Sequence, residues 1–285
     1  MRPAGSVCLT TEDTEDAFDF LDPSAVTRAA LALAGRAGGE TPPVVRLHLA
    51  ANELRLSDRP QRQQVILPAS DVLRLWTACL CAAAARALTT PGVVTAGIVG
   101  PAAADHAYLA LLGRMLPDLS HVALYDDRSA PAPASRGPAP HAARRAAPRS
   151  GAALSPASGI REALLGADLV ILSSQADAVV YEWLSRGAVL VNATGRQLAR
   201  EIYERADRLV VDDPGLRPAG PGPARGPAAP PVDLRDVLSG PVPERRPMDE
   251  TVLVDLYGVG TYNNRFTVEL CRAALALGLG RPCRR

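Results

Sequence analysis

The sequence predicts an α/β protein that combines a doubly wound parallel sheet with a smaller α+β domain. From residue 93 to residue 258, short apolar runs typical of buried strands alternate with amphipathic runs typical of helices. Alternation at this spacing indicates a parallel sheet with crossover helices, and the continuous apolar strands fit a sheet that is covered on both faces. The chain has 285 residues, which is enough for one large domain or two smaller ones.

The first third of the chain predicts the smaller domain. Residues 24–36 are expected to form a helix after an acidic lead, and residues 44–50 and 63–68 have the pattern of short strands. Ser70 and Asp71 can cap the long Ala- and Leu-rich run that follows, which favours a largely buried helix. Helices and short strands in this mixture are typical of an α+β domain.

The rest of the chain supplies the parallel sheet. Asn263 or Asn264 can cap the last helix, which Gly278 ends. Two Pro-, Ala-, Gly- and Arg-rich segments, residues 129–153 and 214–231, interrupt the pattern and are expected to be mobile loops. The predicted strands are residues 93–99, 121–127, 168–174, 188–194, 207–213 and 250–258. The predicted helices are residues 102–116, 159–167, 198–206, 232–240 and 263–278.

Charge and composition limit the function. The formal net charge is +1, which gives no reason to expect nucleic acid or an anionic membrane as a partner. No apolar run reaches the length of about 18 residues that a transmembrane helix requires, and residues 1–30 lack the pattern of a signal peptide. The chain contains no lysine, so Schiff-base chemistry, a lysine general base and a P-loop lysine are excluded.

The cysteines and histidines predict neither a disulfide framework nor a metal site. The five cysteines are odd in number and lack framework spacing, which suggests a reducing compartment and a cytoplasmic protein. Cys79 and Cys81 are two residues apart in a helical run, so their side chains diverge and are expected to pack in the core. The four histidines share no local ligand spacing, and no metal is expected.

The stretch GIVGPAAAD, residues 97–105, has the features of a dinucleotide-binding loop with one departure. Such a loop needs a glycine for the tight turn, a second glycine where the backbone approaches the pyrophosphate, and an acid after the second strand. Gly97 and Gly100 frame the turn, but Ala102 stands at the second position, and Asp105 adds a negative charge near the expected phosphate. Asp126 closes the second strand. The alternative interpretation is an ordinary strand-to-helix turn of an α/β domain that binds no nucleotide.

Residues at the ends of later strands extend the candidate site. The acid at position 126 favours NAD over NADP, although Arg128 leaves NADP open. Ser173 and Ser174 follow a strand where a doubly wound sheet offers hydroxyls to a nicotinamide ribose, with ordinary polar loop residues as the alternative. We expect Gly258 in a tight backbone turn near the cofactor. No catalytic residue is assigned, because no nucleophile has an obvious base.

Taken together, these segments resemble the ornithine cyclodeaminase/mu-crystallin family. The resemblance covers roughly residues 70–125 and 155–280. It rests on GIVGPAAADHAYLALLGRMLPDLSHVALYDD, ALLGADLVILSS, GAVLVNATGRQLAREIYERADRLVVDD and VDLRDVLSGPVPERRP, followed by VLVDLYGVG. The run GRQLAREIYERADRLVVDD, followed by LRDVLSGPVPERR, is similar to the N-(2-amino-2-carboxyethyl)-glutamate dehydrogenases. That branch supplies 2,3-diaminopropionate to siderophores and peptide antibiotics.

The resemblance implies a Rossmann domain that binds NAD(H) or NADP(H) and a second domain that binds an amino-acid substrate and forms a homodimer. We therefore expect a reduced substrate and dimerisation domain over residues 1–90, completed by the C-terminal helix 261–285, and a Rossmann domain over residues 91–260. The implied chemistry is hydride transfer, in either direction, at a carbon that bears an amine. Gly97 and Gly100 carry over as cofactor-binding residues, together with Asp126.

The substrate-binding residues of the family do not carry over. The resemblance implies that arginines and a lysine bind the substrate carboxylate, and this chain has no lysine. Trp76 stands where an arginine is implied, so an indole replaces a guanidinium fork. Arg74, Arg46 or Arg55 could have taken over carboxylate binding, and the sequence does not choose among them. Trp76 and Arg74 are therefore the substrate-binding candidates.

Two functions remain open at this point. An NAD-dependent oxidoreductase that acts on an amino-acid C–N bond accounts for the strand order and for Asp126. A non-catalytic relative, kept as a binding or scaffold protein, accounts for the missing lysine and for Trp76 and Ala102. Both hypotheses predict the same fold, so the fold does not separate them.

Overall fold

A computed structural model describes the chain over residues 6–34, 45–50, 52–58, 63–92, 94–126, 151–216, 230–240, 249–258 and 263–283. The chain divides into two compact units. The terminal unit comprises residues 1–79 and 260–285, and the central unit comprises residues 80–259. The first boundary falls inside the long helix that the domain prediction placed whole in the first domain.

The elements follow the predicted order, with additional short strands and one additional helix near the N-terminus. The strands are β1 (Ser6–Cys8), β2 (Val45–Ala50), β3 (Glu53–Asp58), β4 (Gln63–Pro68), β5 (Val94–Val99), β6 (Leu119–Tyr125), β7 (Ala153–Pro156), β8 (Leu169–Leu172), β9 (Val189–Asn192), β10 (Arg208–Val211), β11 (Val232–Asp233), β12 (Val252–Asp255) and β13 (Arg281–Pro282). The helices are α1 (Thr11–Asp19), α2 (Pro23–Ala34), α3 (Ala69–Leu88), α4 (His106–Met115), α5 (Ile160–Leu164), α6 (Arg200–Arg205), α7 (Leu234–Ser239) and α8 (Asn264–Ala276).

The terminal unit contains a five-stranded sheet with the order β13-β1-β4-β3-β2. β1 runs parallel to β4, and the other neighbouring strands are antiparallel. α8 packs against α1 and α2, and it buries Phe266 and Leu270 completely. The unit therefore has the mixture of helices and short strands that the sequence predicts for the smaller domain.

Two caps determine where helices of the terminal unit begin. The Thr10 side chain accepts a hydrogen bond from the Asp13 N–H at 3.1 Å, and the Asp13 carboxylate accepts one from the Thr10 N–H at 2.9 Å. This capping box starts α1 within the segment that the sequence marks only as an acidic lead. The bond from the Thr10 N–H also lowers the pKa of Asp13. Asn263 caps α8, as predicted, and accepts from the Phe266 N–H at 3.1 Å.

The central unit contains an eight-stranded sheet in the order β11-β10-β12-β9-β8-β5-β6-β7, and all neighbouring strands are parallel. From β5 the chain proceeds to β6 and β7 on one side, and then returns to the other side of β5 for β8 and β9. It continues to β10 and β11 at the far edge, and β12 is inserted between β9 and β10. The reversal at β5 is the topological switch point of a doubly wound sheet. β8, β9 and β12 are buried along their whole length, as coverage of both faces requires. The predicted fold class is confirmed.

The two predicted mobile loops lie largely outside the described residues, which omit residues 127–150 and 217–229. Near their described ends the structure has ordered backbone. Ala153 begins β7, which pairs in parallel with β6, and residues 214–216 form a short 3-10 turn. The structure differs from the predicted loop at these positions, because β7 extends the sheet by a further strand.

A disulfide joins the two ends of the terminal unit. Cys8 on β1 is bonded to Cys283, which follows β13, and the Cys283 N–H donates to the Ser6 carbonyl at 2.9 Å. The prediction from cysteine spacing is wrong for this pair, because 275 residues of sequence separate the partners and no local pattern records such a bond. The other three cysteines are free and buried. The cysteine argument for a reducing compartment therefore loses its basis, and a cytoplasmic location stays a prediction.

Within the residues that the structure describes, no helix is both long enough and apolar enough to cross a membrane. Among the same residues, no group of three or more His, Cys, Asp or Glu side chains could hold a metal ion. The predictions that the protein has neither a membrane nor a metal as a partner concern the whole chain and stay predictions.

Candidate functional site

The switch point of the central sheet brings the glycine loop beside the two predicted serines. Gly100 directly follows β5, and Ser173 and Ser174 directly follow the neighbouring strand β8. In doubly wound sheets, ligands bind outside the carboxyl ends of the strands at this point. The fold therefore places three of the predicted cofactor-binding residues where a ligand is expected.

Gly97 and Gly100 are required for different reasons. Gly97 lies inside β5, where an added Cβ would stand 2.0 Å from the Ala163 carbonyl oxygen of α5. This glycine permits the close approach of the helix to the strand. Gly100 has a φ of 96°, and an added Cβ would stand 2.3 Å from the Ser174 hydroxyl oxygen and 2.8 Å from that of Ser173. Only Gly100 therefore shapes the turn itself.

Ser173 holds the glycine loop in place. Its hydroxyl donates to the Val99 carbonyl at 2.9 Å and accepts from the Ala102 N–H at 3.0 Å. The Ala102 N–H, which a phosphate could otherwise use, is therefore already bonded. Ala102 is only 6% exposed, so its methyl group offers little surface to a ligand. The replacement of the second glycine therefore affects ligand approach less than the sequence suggests.

At the same loop, Ser174 has a hydroxyl group without a hydrogen-bond partner among the described residues. Its hydroxyl oxygen is buried. Buried polar atoms without partners are rare in folded proteins, and a bound ligand is a frequent explanation. Gly100 leaves room for this hydroxyl, and a phosphate or ribose of a bound ligand would supply the partner that it lacks.

The helix after the glycine loop begins later than predicted and carries its own anion. Residues 101–104 form a 3-10 turn, and α4 begins at His106 with Asp105 as its N-cap. The Asp105 carboxylate accepts from the Tyr108 N–H at 3.2 Å. The N-terminus of a helix attracts anions, so a phosphate at α4 must compete with this carboxylate. A pyrophosphate at this helix would therefore meet the negative charge of Asp105.

Asp126 lies where a ribose-binding acid belongs. It directly follows β6 and is partly buried. The Gly100 N–H donates to the carbonyl of Tyr125, the last residue of β6, at 2.7 Å. The glycine turn and the end of β6 are therefore tied to each other. The residues fit the ribose and the turn of a dinucleotide, while the helix N-terminus fits its phosphates less well.

A buried polar network joins the carboxyl ends of β9 and β12. Asp255 is 1% exposed, and its Oδ1 accepts from Asn192 Nδ2 at 2.7 Å. Its Oδ2 accepts from the hydroxyls of Tyr203 and Tyr257, each at 2.6 Å. Burial, and then the negative charge of Asp255, raises the pKa of Tyr203, so this hydroxyl stays a donor. The sequence indicates only an acid within a strand, because its partners are spread over 65 residues.

Asp212, at the end of β10, holds the backbone around Gly258. Its Oδ2 accepts from the Gly258 N–H at 2.8 Å, and its Oδ1 accepts from the Tyr257 N–H at 2.7 Å. The carboxylate is 5% exposed, and burial raises the pKa of Asp212. This buried acid thus fixes the backbone at Tyr257 and Gly258, while the tight turn near the cofactor stays a prediction. The sequence analysis did not select Asp212, but the sequence does carry a signal for this residue, because an acid that directly follows an apolar strand lies at the carboxyl edge of a parallel sheet.

Trp76, a predicted substrate residue, lies in the core of the terminal unit. It is 3% exposed, and its ring centroid lies 5.4 Å from that of Phe266. Phe266 in turn packs edge-on against Phe18 at 6.2 Å. This burial favours a packing role, and contact with substrate stays a prediction.

Of the three arginines considered for binding the substrate carboxylate, the two whose side chains the structure describes form ion pairs. Arg74 donates to Glu15 at 2.6 Å, and Arg55 pairs with Glu53 at 2.8 Å. The side chain of Arg46 lies outside the described residues. The guanidinium groups of Arg74 and Arg55 therefore each have a carboxylate partner, although Arg55 Nε has no hydrogen-bond partner among the described residues.

A separate hollow lies at the opposite, amino edge of the central sheet. Arg186, Asp249 and Glu182 are among its lining residues. Its charges pair with one another, as Arg186 does with Asp249 at 2.7 Å and Arg205 with Glu182. Surface ion pairs of this kind are common on solvated faces and indicate no ligand.

A family model matches most of the chain. The model of the ornithine cyclodeaminase/mu-crystallin family matches residues 66–263, which is more than half of the chain. The chain belongs to this family. No curated protein matches the sequence significantly.

Solved structures share the fold of this family member at low sequence identity. CmnK has a TM-score of 0.72 and 18% identity, and the match covers 99% of this chain and 98% of CmnK. The Thermococcus litoralis Δ1-pyrroline-2-carboxylate reductase, in complex with NADH and L-proline, has a TM-score of 0.67 and 14% identity over 97% of this chain and 100% of its own. An archaeal alanine dehydrogenase dimer with bound NAD has a TM-score of 0.66 and 17% identity, over 98% of this chain and 99% of its own. These matches show a shared fold.

Proposed function

We propose that this protein is an NAD(P)-dependent oxidoreductase that acts on an amino-acid C–N bond, with NAD as the preferred cofactor. The observation that carries the proposal is the switch point of the central sheet. It combines a glycine turn at positive φ, an unpartnered buried serine hydroxyl and an acid after β6. Membership of the family, and fold relatives solved with NADH and L-proline or with NAD, support it.

The proposed reaction joins a hydride and a proton to an imine. A bound nicotinamide would supply the hydride for the imine carbon, and solvent or substrate would supply the proton for the nitrogen, so that an amine would result. In the reverse direction the amine would give up the hydride and a proton, and water would hydrolyse the imine. In this chain, Ser174 would contact the cofactor at the glycine turn, and Asp126 would accept from its ribose hydroxyls. An acid at that position disfavours the 2′-phosphate of NADP, which is why NAD is preferred.

The biological setting is a finer part of the proposal. A 2,3-diaminopropionate-type role in siderophore or peptide natural-product biosynthesis rests on the sequence similarity to that branch. A homodimer is proposed because the archaeal alanine dehydrogenase is a dimer.

A second candidate function is a non-catalytic binding or scaffold protein. Two observations favour it, namely the Asp105 carboxylate at the start of α4 and the Ala102 N–H that Ser173 already occupies. Both reduce the donors that the loop offers to a phosphate. On this alternative, the fold is retained while the cofactor site is lost or unused.

Isotope transfer separates the two candidates. The chain is incubated with NADH deuterated at the nicotinamide C4, together with 2-oxo acids and amines that form imines in solution, and the products are analysed by mass spectrometry. The enzyme proposal expects one deuterium on the carbon next to nitrogen. Saturable NADH binding without deuterium in any amine product would favour the non-catalytic candidate.

Replacing Asp105 with serine is expected to tighten NADH binding by about two- to fivefold. Serine still caps α4, whereas the negative charge beside the phosphate is removed. The affinity is measured by isothermal titration calorimetry. Asp19→Ser, at an exposed site on α1, makes the same charge change and should leave the affinity unchanged. Equal affinities of wild type and Asp105→Ser would show that the phosphates do not approach α4.

A further inference from the structure

The turn after β9, residues 194–197, is exposed but rigidly held. Gly195, Arg196 and Gln197 are exposed, and Gly195 has a φ of 67°. The Arg196 N–H donates to the Thr194 hydroxyl at 3.0 Å, and the Arg196 carbonyl accepts from Asn192 Nδ2 at 2.6 Å. Both polar groups of the Arg196 backbone are therefore fixed, which fixes the point from which its side chain extends.

The support of this turn is the buried polar network. Asn192 is completely buried, and the same amide nitrogen that holds Arg196 also donates to Asp255 at 2.7 Å. The Asn192 oxygen accepts from the Thr194 hydroxyl at 2.7 Å. Burying an amide and a carboxylate costs free energy unless each polar group forms hydrogen bonds, whereas burying apolar residues carries no such cost. This network thus orients an exposed turn, and the side chain that the turn presents is an arginine.

Arg196 is the one basic residue among the described residues that directly follow β5, β6, β8, β9 and β12 at their carboxyl ends. Those residues are 100–105 after β5, 126 after β6, 173–180 after β8, 193–199 after β9 and 256–258 after β12. Arg186, later in the connection from β8 to β9, lines the hollow at the amino edge. No hydrogen bond or ion pair joins the Arg196 guanidinium to a described residue, whereas Arg200, four residues on, pairs with Glu204 at 2.7 Å. The chain has no lysine that could substitute. An anionic ligand group at this edge therefore has Arg196 as its cation among these residues.

The strand order indicates which anion this is. β9 lies two strands from β5, on the side of the switch point opposite to β6 and Asp126. A dinucleotide places one half on each side of the switch point, so the half opposite the Asp126 ribose lies over β8 and β9. The substrate must therefore contact the reacting nicotinamide ring on the side of β8 and β9. The planar fork of a guanidinium matches a carboxylate with two parallel hydrogen bonds.

We propose that Arg196 binds the carboxylate of a 2-amino or 2-imino acid substrate in the central unit. The inference rests on the proposed function, because it deepens the same site. It also fits the ion pairs of Arg74 and Arg55, whose guanidinium groups each already have a carboxylate partner.

The test measures carboxylate recognition separately from cofactor binding. Binding of L-alanine and L-glutamate, each compared with its 1-amide, is followed by saturation-transfer NMR on the full chain, with and without NADH. The variants are Arg196→Gln, Arg196→Lys and the control Arg200→Gln. NADH affinity of each variant is measured in a separate titration.

We expect wild type to prefer the acid over the amide, and Arg196→Gln to weaken acid binding by about tenfold or more and to remove the preference. Arg196→Lys keeps the charge without the fork and should retain part of the preference. Arg200→Gln should behave as wild type, and NADH affinity should not change. The proposal is overturned if wild type shows no preference, if Arg196→Gln keeps it, or if Arg196→Gln weakens NADH instead. A wild type that binds the acids but not NADH would count against the proposed function alone.

Discussion

Replacing Asp255 with leucine is expected to lower the free energy of unfolding by about 2 to 4 kcal/mol. Leucine removes the acceptor of two tyrosine hydroxyls and of one Asn192 N–H bond. Buried donors that lose their acceptor forfeit the hydrogen bond and stay desolvated. The measurement is urea unfolding followed by circular dichroism.

Two milder variants test whether the loss of stability depends on the number of hydrogen bonds that are removed from the network. Tyr203→Phe removes one side-chain hydrogen bond to Asp255, together with the long bond from the Leu198 N–H at 3.3 Å, and should cost about 1 kcal/mol. Asp255→Asn keeps one carbonyl acceptor and should lie between Tyr203→Phe and Asp255→Leu. If Asp255→Leu unfolds at the wild-type urea concentration, the network does not contribute to stability, and the rigid turn above it loses its support.

Replacing Cys283 with serine is expected to lower the free energy of unfolding by about 2 to 5 kcal/mol under non-reducing conditions. The bond to Cys8 closes a loop of almost the whole chain, and long loops lose the most entropy in the unfolded state. Wild type and Cys283→Ser are unfolded in urea with and without dithiothreitol. The reductant should bring wild type to the level of the variant and leave the variant unchanged.

Thiol counting gives an independent check of the same bond. In denaturant without reductant, three thiols per chain should react, since three cysteines are free. After reduction, all five should react. Five reactive thiols before reduction, together with no effect of dithiothreitol on wild-type stability, would contradict the disulfide.

The parallel sheet could be predicted because its signals are local. Each buried strand is a run of aliphatic residues, and the glycine after β5 and the cap at Asn263 act within a few residues of their positions. β3 and α1 were missed because their sequences are rich in charged residues, and tertiary packing and a capping box decide them instead. Local signals therefore give the fold class but not every element.

The arrangement of the candidate site depends on contacts that sequence spacing does not record. Gly97 looks like part of a phosphate loop, but the carbonyl of Ala163, 66 positions later, is what requires it. Trp76 stands at an arginine position of the family and yet packs against Phe266, near the other end of the chain. Such pairs become visible only when the fold brings distant segments together.

The proposed function requires that the switch point of the central sheet binds NADH. The direct measurement is a titration of the full chain with NADH, followed by nicotinamide fluorescence, in wild type and in Asp126→Asn. The proposed function predicts saturable binding in wild type and a loss of affinity of about tenfold or more in Asp126→Asn, because the ribose hydroxyls lose a charged acceptor. Absence of saturable binding at millimolar NADH, or equal affinity in the variant, would contradict it.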